Sequence, residues 1–224
     1  MLTLRRSILL CGLLGVLILV WYLWREQPSL HQAKEASKPI IIKQPVTFAS
    51  RTFNPASPPA DMPPLPSGEN AECDTNFVSN AIVGGRSRQS DATHATITIT
   101  QIKVTLDLIV TVWVPAGVTQ HVIEHEEGHR QISENYYQTA DKVAERIAAK
   151  YMGKQVDITG TNLNAESTKL LQQMGAEITE EYNKELNPEP AQLLYDSITD
   201  HSRNEVVAGD AVAHALKNVA FESN

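Results

Sequence analysis

The chain has 224 residues, room for one ordinary domain plus additional segments. Its formal net charge is −7, and residues 71–224 hold 12 Lys and Arg against 22 Asp and Glu, which excludes the basic footprint of a nucleic-acid binder. Only one of the two cysteines, Cys73, falls in that region, so a domain there holds together without an internal disulfide.

Arg5 and Arg6 precede an uncharged run of 18 residues, Ser7 to Trp24, which Arg25 closes. At ~1.5 Å rise per residue the run spans roughly 27 Å, enough to cross a hydrocarbon core. A cleaved signal peptide is the competing reading, but its apolar stretch is usually about 7–15 residues long. Trp21, Tyr22 and Trp24 also suit a membrane interface better than a cleavage site. Residues 1–25 are therefore expected to be an uncleaved transmembrane anchor with a cytoplasmic amino terminus. The expected product is a single-pass inner-membrane protein whose carboxy-terminal domain lies in the periplasm. Residues 26–70 contain nine of the 12 prolines, including Pro58-Pro59 and Pro63-Pro64, and read as an extended, semi-rigid linker.

Residues 71–224 read as the folded domain. Apolar residues alternate from Ile102 to Val114, the pattern of a long half-buried strand, which Pro115-Ala116-Gly117 stops. Thr96 to Thr100 reads as its partner or its own beginning. After Gly117 the period becomes helical and stays so to about Tyr151. A second amphipathic helix fits Ala165 to Leu186 and a short third one Glu205 to Val219. Sheet first and helices after predict an α+β domain.

The first of these helices carries Gln120-His121-Val122-Ile123-Glu124-His125-Glu126-Glu127-Gly128-His129. Two zinc-site patterns overlap here: H-E-x-x-H from His125 to His129, and the inverted H-x-x-E-H from His121 to His125. On a wheel of about 100° per residue, Val118, Val122, Ile132, Tyr136, Ala140, Val143 and Ile147 centre roughly 20° from His125. The pair His125/His129 straddles that apolar direction, whereas His121/His125 lies about 40° to one side of it. Metal ligands must face the protein body, because a further ligand comes from another element, and this favours the H-E-x-x-H frame. The bland alternatives are a solvated helix face and a pair of hydrogen-bonded core histidines. Imidazoles on an apolar stripe are costly to leave unpaired, which argues for a metal. Among the other histidines, His31 lies in the linker, while His94 and His214 read as surface and packing residues. His201 falls in a polar segment, Tyr195 to His201, between two helices.

Taken together, His125-Glu126-Glu127-Gly128-His129, the long helix and the late Tyr195-Asp196-x-x-Thr199-x-His201 resemble a family of bacterial predicted secreted zinc-dependent proteases, formerly a domain of unknown function. The resemblance covers about residues 75 to 205. It implies a zincin-like fold, with an antiparallel sheet packed on the active-site helix. It also implies Zn2+ held by His125, His129 and His201, with Glu126 as the catalytic carboxylate. Where the family usually has Gly after the last histidine, this chain has Ser202. Under the inverted frame a later glutamate, Glu205, replaces His201 as ligand. Three neutral imidazoles would leave zinc dicationic and lower the pKa of its water toward about 7. Glu126 would then act as general base and acid in amide hydrolysis. Tyr195 is a candidate donor to the developing oxyanion or else a packing residue, and Asp196 a candidate to orient a ligand imidazole. The expected partner is a protein or peptide substrate, lying as an added strand on the edge of the Ile102–Val114 sheet. A different class of function also fits: a non-catalytic envelope binding or assembly module with a structural or vestigial zinc site.

Overall fold

The computed structural model describes residues 38–65 and 68–222. The expected anchor over residues 1–25 lies outside them, and among the described residues no helix is long and apolar enough to cross a membrane. Among the described residues the fold is a mixed α+β arrangement of one five-stranded sheet and five helices. The strands are β1 (Ile40–Lys43), β2 (Thr47–Phe53), β3 (Glu72–Gln89), β4 (His94–Pro115) and β5 (Gln155–Thr159). The helices are α1 (Gln120–Gln138), α2 (Ala140–Ala149), α3 (Leu163–Glu185), α4 (Glu189–Thr199) and α5 (Ala208–Glu222).

The alternating run and the threonine-rich stretch before it form one strand, β4, of 22 residues. Its even residues from Ile102 to Val110 are buried against the helices together with Ala81 and Val83 of β3. β3 pairs antiparallel with β4 from Glu72↔Trp113 to Gln89↔Ala95, with a register shift between Gly84 and Gly85. Since β3 occupies one side of β4 along nearly all its length, β5, β1 and β2 must share the other side end to end.

Two expectations change here. The sheet is mixed and not antiparallel, because β1 and β2 run parallel to β4. Ordered structure also begins well before residue 71. The segment read as a linker supplies both parallel strands, and Tyr137 of α1 donates to the backbone carbonyls of Gln44 and Leu106 at 2.9 and 3.0 Å. Prolines at 39, 45 and 55 sit outside these strands, where a missing N–H costs no ladder bond.

The helical run after Gly117 is divided at Thr139, whose N–H and hydroxyl both turn back to the Tyr136 carbonyl at 3.3 Å. Such local bonds compete with the helical ladder. One side of α1–α2 packs on the sheet through Tyr137, Ala140, Ala144 and Ile147. Ile132 of α1 joins a second core with Ala191 and Tyr195 of α4 and Ala211, Val212 and Ala215 of α5. The histidine-bearing helix is thus held between the sheet and a helical pair. α3 presses on the β3 edge so closely that a Cβ on Gly175 would lie 2.5 Å from the Ala81 carbonyl oxygen. The Ala81 N–H is met there by Thr179 Oγ1 at 3.2 Å.

Candidate metal centre

His125 and His129 stand one turn apart on α1, which projects both rings from one face. That face turns inward: His125 is 4 % exposed and Glu126 3 %. The two Nε2 atoms lie 3.2 Å apart. Asp196 Oδ1, from α4, lies 3.3 Å from His125 Nε2 and 2.9 Å from His129 Nε2. Donors on a tetrahedral ion with ~2.1 Å bonds are separated by about 3.4 Å, close to these three edges. His125, His129 and Asp196 therefore form a group that can hold a metal ion. The donor chemistry fits as well, since two imidazoles and a carboxylate suit zinc and other first-row divalent ions. So does the polar balance at the shared donor: Asp196 Oδ1 is buried without an aligned hydrogen bond. Buried polar atoms are rarely left in that state.

The third donor of this group is Asp196, where the resemblance implies His201. The reason is the short helix α4, which takes in Tyr195 to Thr199 of the polar segment. Coiling Glu189–Thr199 turns Asp196 toward α1, while His201 falls in the turn beyond. His201 Nδ1 lies 3.8 Å from Asp196 Oδ1 and 3.2 Å from Glu69 Oε1, with the side chain 40 % exposed. In the inverted frame, Glu124 is exposed and accepts from Gln120 at 3.1 Å, and neither it nor His121 joins the group. Glu205 is exposed and outside the group too.

Tyr195 is committed elsewhere. It is fully buried, its hydroxyl donates to the His125 carbonyl at 3.1 Å, and its ring stacks on the His125 ring at 5.0 Å. The predicted oxyanion contact is therefore replaced by a positioning one, because the phenol is spent on the backbone of α1.

Sequence reasoning missed Gln192. Its Oε1 accepts from His129 Nδ1 at 2.6 Å, while its amide donates to the His129 carbonyl at 3.1 Å and to Ser133 Oγ at 2.9 Å. Two donations fix the amide's orientation, so the oxygen faces the ring and leaves His129 Nε2 to point at the site. The available signal was Pro188-Glu189-Pro190 ahead of Ala191, Leu194, Tyr195 and Ile198, prolines at a helix start followed by helical spacing. Replacing Gln192 by Leu should weaken metal binding about 10–100-fold, whereas Gln192→Glu should keep it, as read by chelator competition. Equal affinity in the Leu variant would remove this orienting role.

The turn after α4 is strained. Asp200, His201 and Ser202 have φ of 46°, 51° and 63°, three consecutive non-glycine residues in the left-handed region. Each costs of order 1 kcal/mol. Ser202→Gly should therefore raise unfolding stability by about 0.5–1 kcal/mol after glycine's greater unfolded-state freedom is subtracted. Urea denaturation measures this, and an unchanged midpoint would show the turn to be relaxed.

The site is strongly acidic. Burial pushes the Glu126 carboxyl up to about 8, against the attraction of His129 and with the repulsion of Glu69, Glu72 and Asp196. Burial, with Glu69 nearby, raises Glu72 to about 7. Burial also opposes charge on Asp196, but contact with His125 and His129 outweighs it and holds that pKa well below the carboxylate range. Burial works against a charged His129 too, and Asp196 and Gln192 reverse the balance to raise its pKa. Two cavities of about 200 Å³ open beside the cluster. Glu126 and Glu69 line both.

Fold and site define a mixed α+β domain with a buried site able to hold a metal ion. No family model, curated protein or solved structure matches this chain.

Proposed function

We propose that this chain is a membrane-anchored, envelope-facing zinc metallopeptidase of zincin-like architecture, related to the secreted zinc-dependent proteases its motifs resemble. The observation that carries the reading is Glu126. Its carboxylate is buried beside the His125–His129–Asp196 group and has no hydrogen-bond or ion-pair partner among the described residues. A structural metal site has no use for such a group, because a buried carboxylate without a partner is costly. A general base needs one.

His125, His129 and Asp196 would hold a zinc ion, which would supply Lewis-acid polarisation of the scissile carbonyl and of a water molecule. Burial holds the Glu126 carboxyl up to about 8, so it would act as base once a cation bound beside it favours its ionised form. It would then accept a proton from the water that attacks the carbonyl carbon. It then delivers that proton to the leaving nitrogen as the C–N bond breaks. His201, which lines the cavity with His125 and Glu126, would donate a hydrogen bond to the carbonyl oxygen as it gains charge. Gln192 and Tyr195 hold the two imidazoles in place.

An extended substrate would add to the sheet at β3, since β4 is interior and carries strands on both sides. Among the described residues no strand pairs with the outer edge of β3. The helix α3 closes that edge at Ala81, leaving the part next to Glu72 and Cys73 for peptide pairing. The test is metal analysis and peptide hydrolysis on the purified full chain after dialysis. One zinc per chain is expected, with hydrolysis abolished by a chelator and restored by zinc. Tightly held zinc without hydrolysis of any peptide would make this a binding module instead.

A further inference from the structure

The cavity between β3 and α4 has a composition that hydrolysis alone does not require. Glu69, Glu72, Glu126 and Asp196 all line it, and no Lys or Arg does. Glu72 makes no hydrogen bond or ion pair among the described residues, and the polar contact of Glu69 is to the His201 imidazole. Glu126, 3 % exposed and unpartnered, faces the same space. A cation held by His125, His129 and Asp196 leaves Glu69 and Glu72 in the same cavity with no Lys or Arg against them. Burying charge without a counter-charge is expensive. A cationic group entering the cavity would supply a counter-charge to both glutamates.

We propose that Glu69 and Glu72 form a subsite for a lysine or arginine side chain flanking the scissile bond, so that the substrates are cationic peptides. This rests on the peptidase reading above and adds its substrate class. The cavity measures about 200 Å³, below the ~300–1,000 Å³ of small-molecule sites, which suits one side chain rather than a whole ligand. Glu72 opens β3, the strand offered to an added peptide, so its carboxylate lies where a side chain of that peptide would reach. An acidic substrate side chain in the same place meets like charge, which excludes it as strongly as a basic one is favoured. The field agrees at longer range, because residues 71–224 carry 22 acidic against 12 basic side chains and draw cationic chains toward the site.

The test uses the full chain in detergent micelles, loaded with zinc, and a peptide library varied on both sides of the cleaved bond. Peptides with Lys or Arg at one flanking position should be cleaved with kcat/KM ~10–100-fold above those with Gln there, and Glu should be worse still. Glu69→Gln combined with Glu72→Gln should collapse that preference while zinc content stays at one per chain. Glu72→Lys should shift it toward acidic residues. Binding of Lys- and Glu-bearing fluorescent peptides to Glu126→Gln protein gives a second readout that needs no turnover. Selective binding without cleavage by the unmodified chain supports the subsite and overturns the peptidase reading. Cleavage with no charge preference, or a preference that survives the double variant, overturns the subsite and leaves the peptidase reading standing.

Discussion

Glu126→Gln should retain one zinc per chain and lose peptide hydrolysis by ~10²–10⁴-fold, the range for removal of a general base. The substitution keeps the shape and burial of the side chain, so metal content serves as the control for folding. Glu124→Gln should be nearly silent in the same assay, because Glu124 is exposed and makes its one hydrogen bond to Gln120 on its own helix. The reverse pattern, with Glu124→Gln inactive and Glu126→Gln active, would establish the inverted motif from His121 to His125. Zinc loss in Glu126→Gln would make that carboxylate a ligand.

The second large effect concerns Gly128, the variable position before the last histidine of the motif. A Cβ there would lie 2.2 Å from the Tyr195 hydroxyl oxygen and 2.4 Å from the ring carbon that bears it. No real contact is that short, and Tyr195 is fully buried in the second core, with no room to retreat. Gly128→Ala should therefore cost about 2–3 kcal/mol, from overpacking and from loss of the Tyr195 bond to the His125 carbonyl. Alanine's better helix propensity, about 1 kcal/mol, offsets part of the gross penalty. For a chain of this size that corresponds to a fall in Tm of roughly 5–10 °C. The loss should shrink when Tyr195→Ala is already present, since the colliding ring is gone, and the difference measures the coupling. Additive effects of the two substitutions would show that Gly128 and Tyr195 act independently. Gly128 is thus explained by packing across α4, with no direct part in chemistry.

The sequence by itself determined what is local. Alternation between apolar and polar residues marks β4 whatever surrounds it, because successive side chains of a strand point to opposite faces. The four-residue spacing of His125 and His129 puts two imidazoles on one helix face, and the apolar stripe through Val122 and Ile132 turns that face inward. Glu126 follows as their neighbour.

Everything that completes the site came from elsewhere in the chain, where local pattern is silent. Asp196 and Gln192 lie on α4, an 11-residue helix too short to declare itself by periodicity and shaped by packing on α1. Glu69 and Glu72 come from the boundary of a segment that proline content marks as extended. Proline content reports the backbone's preference, and says nothing of whether Ile40–Lys43 and Thr47–Phe53 will find partners on β4. Strand pairing and metal-ligand assembly both join residues tens of positions apart, and the free energy that selects them resides in the contacts formed after the chain has closed on itself. That is why two donors of the candidate metal site were legible as a motif, while the third donor, the orienting amide and the acidic wall of the cavity belong to the tertiary structure.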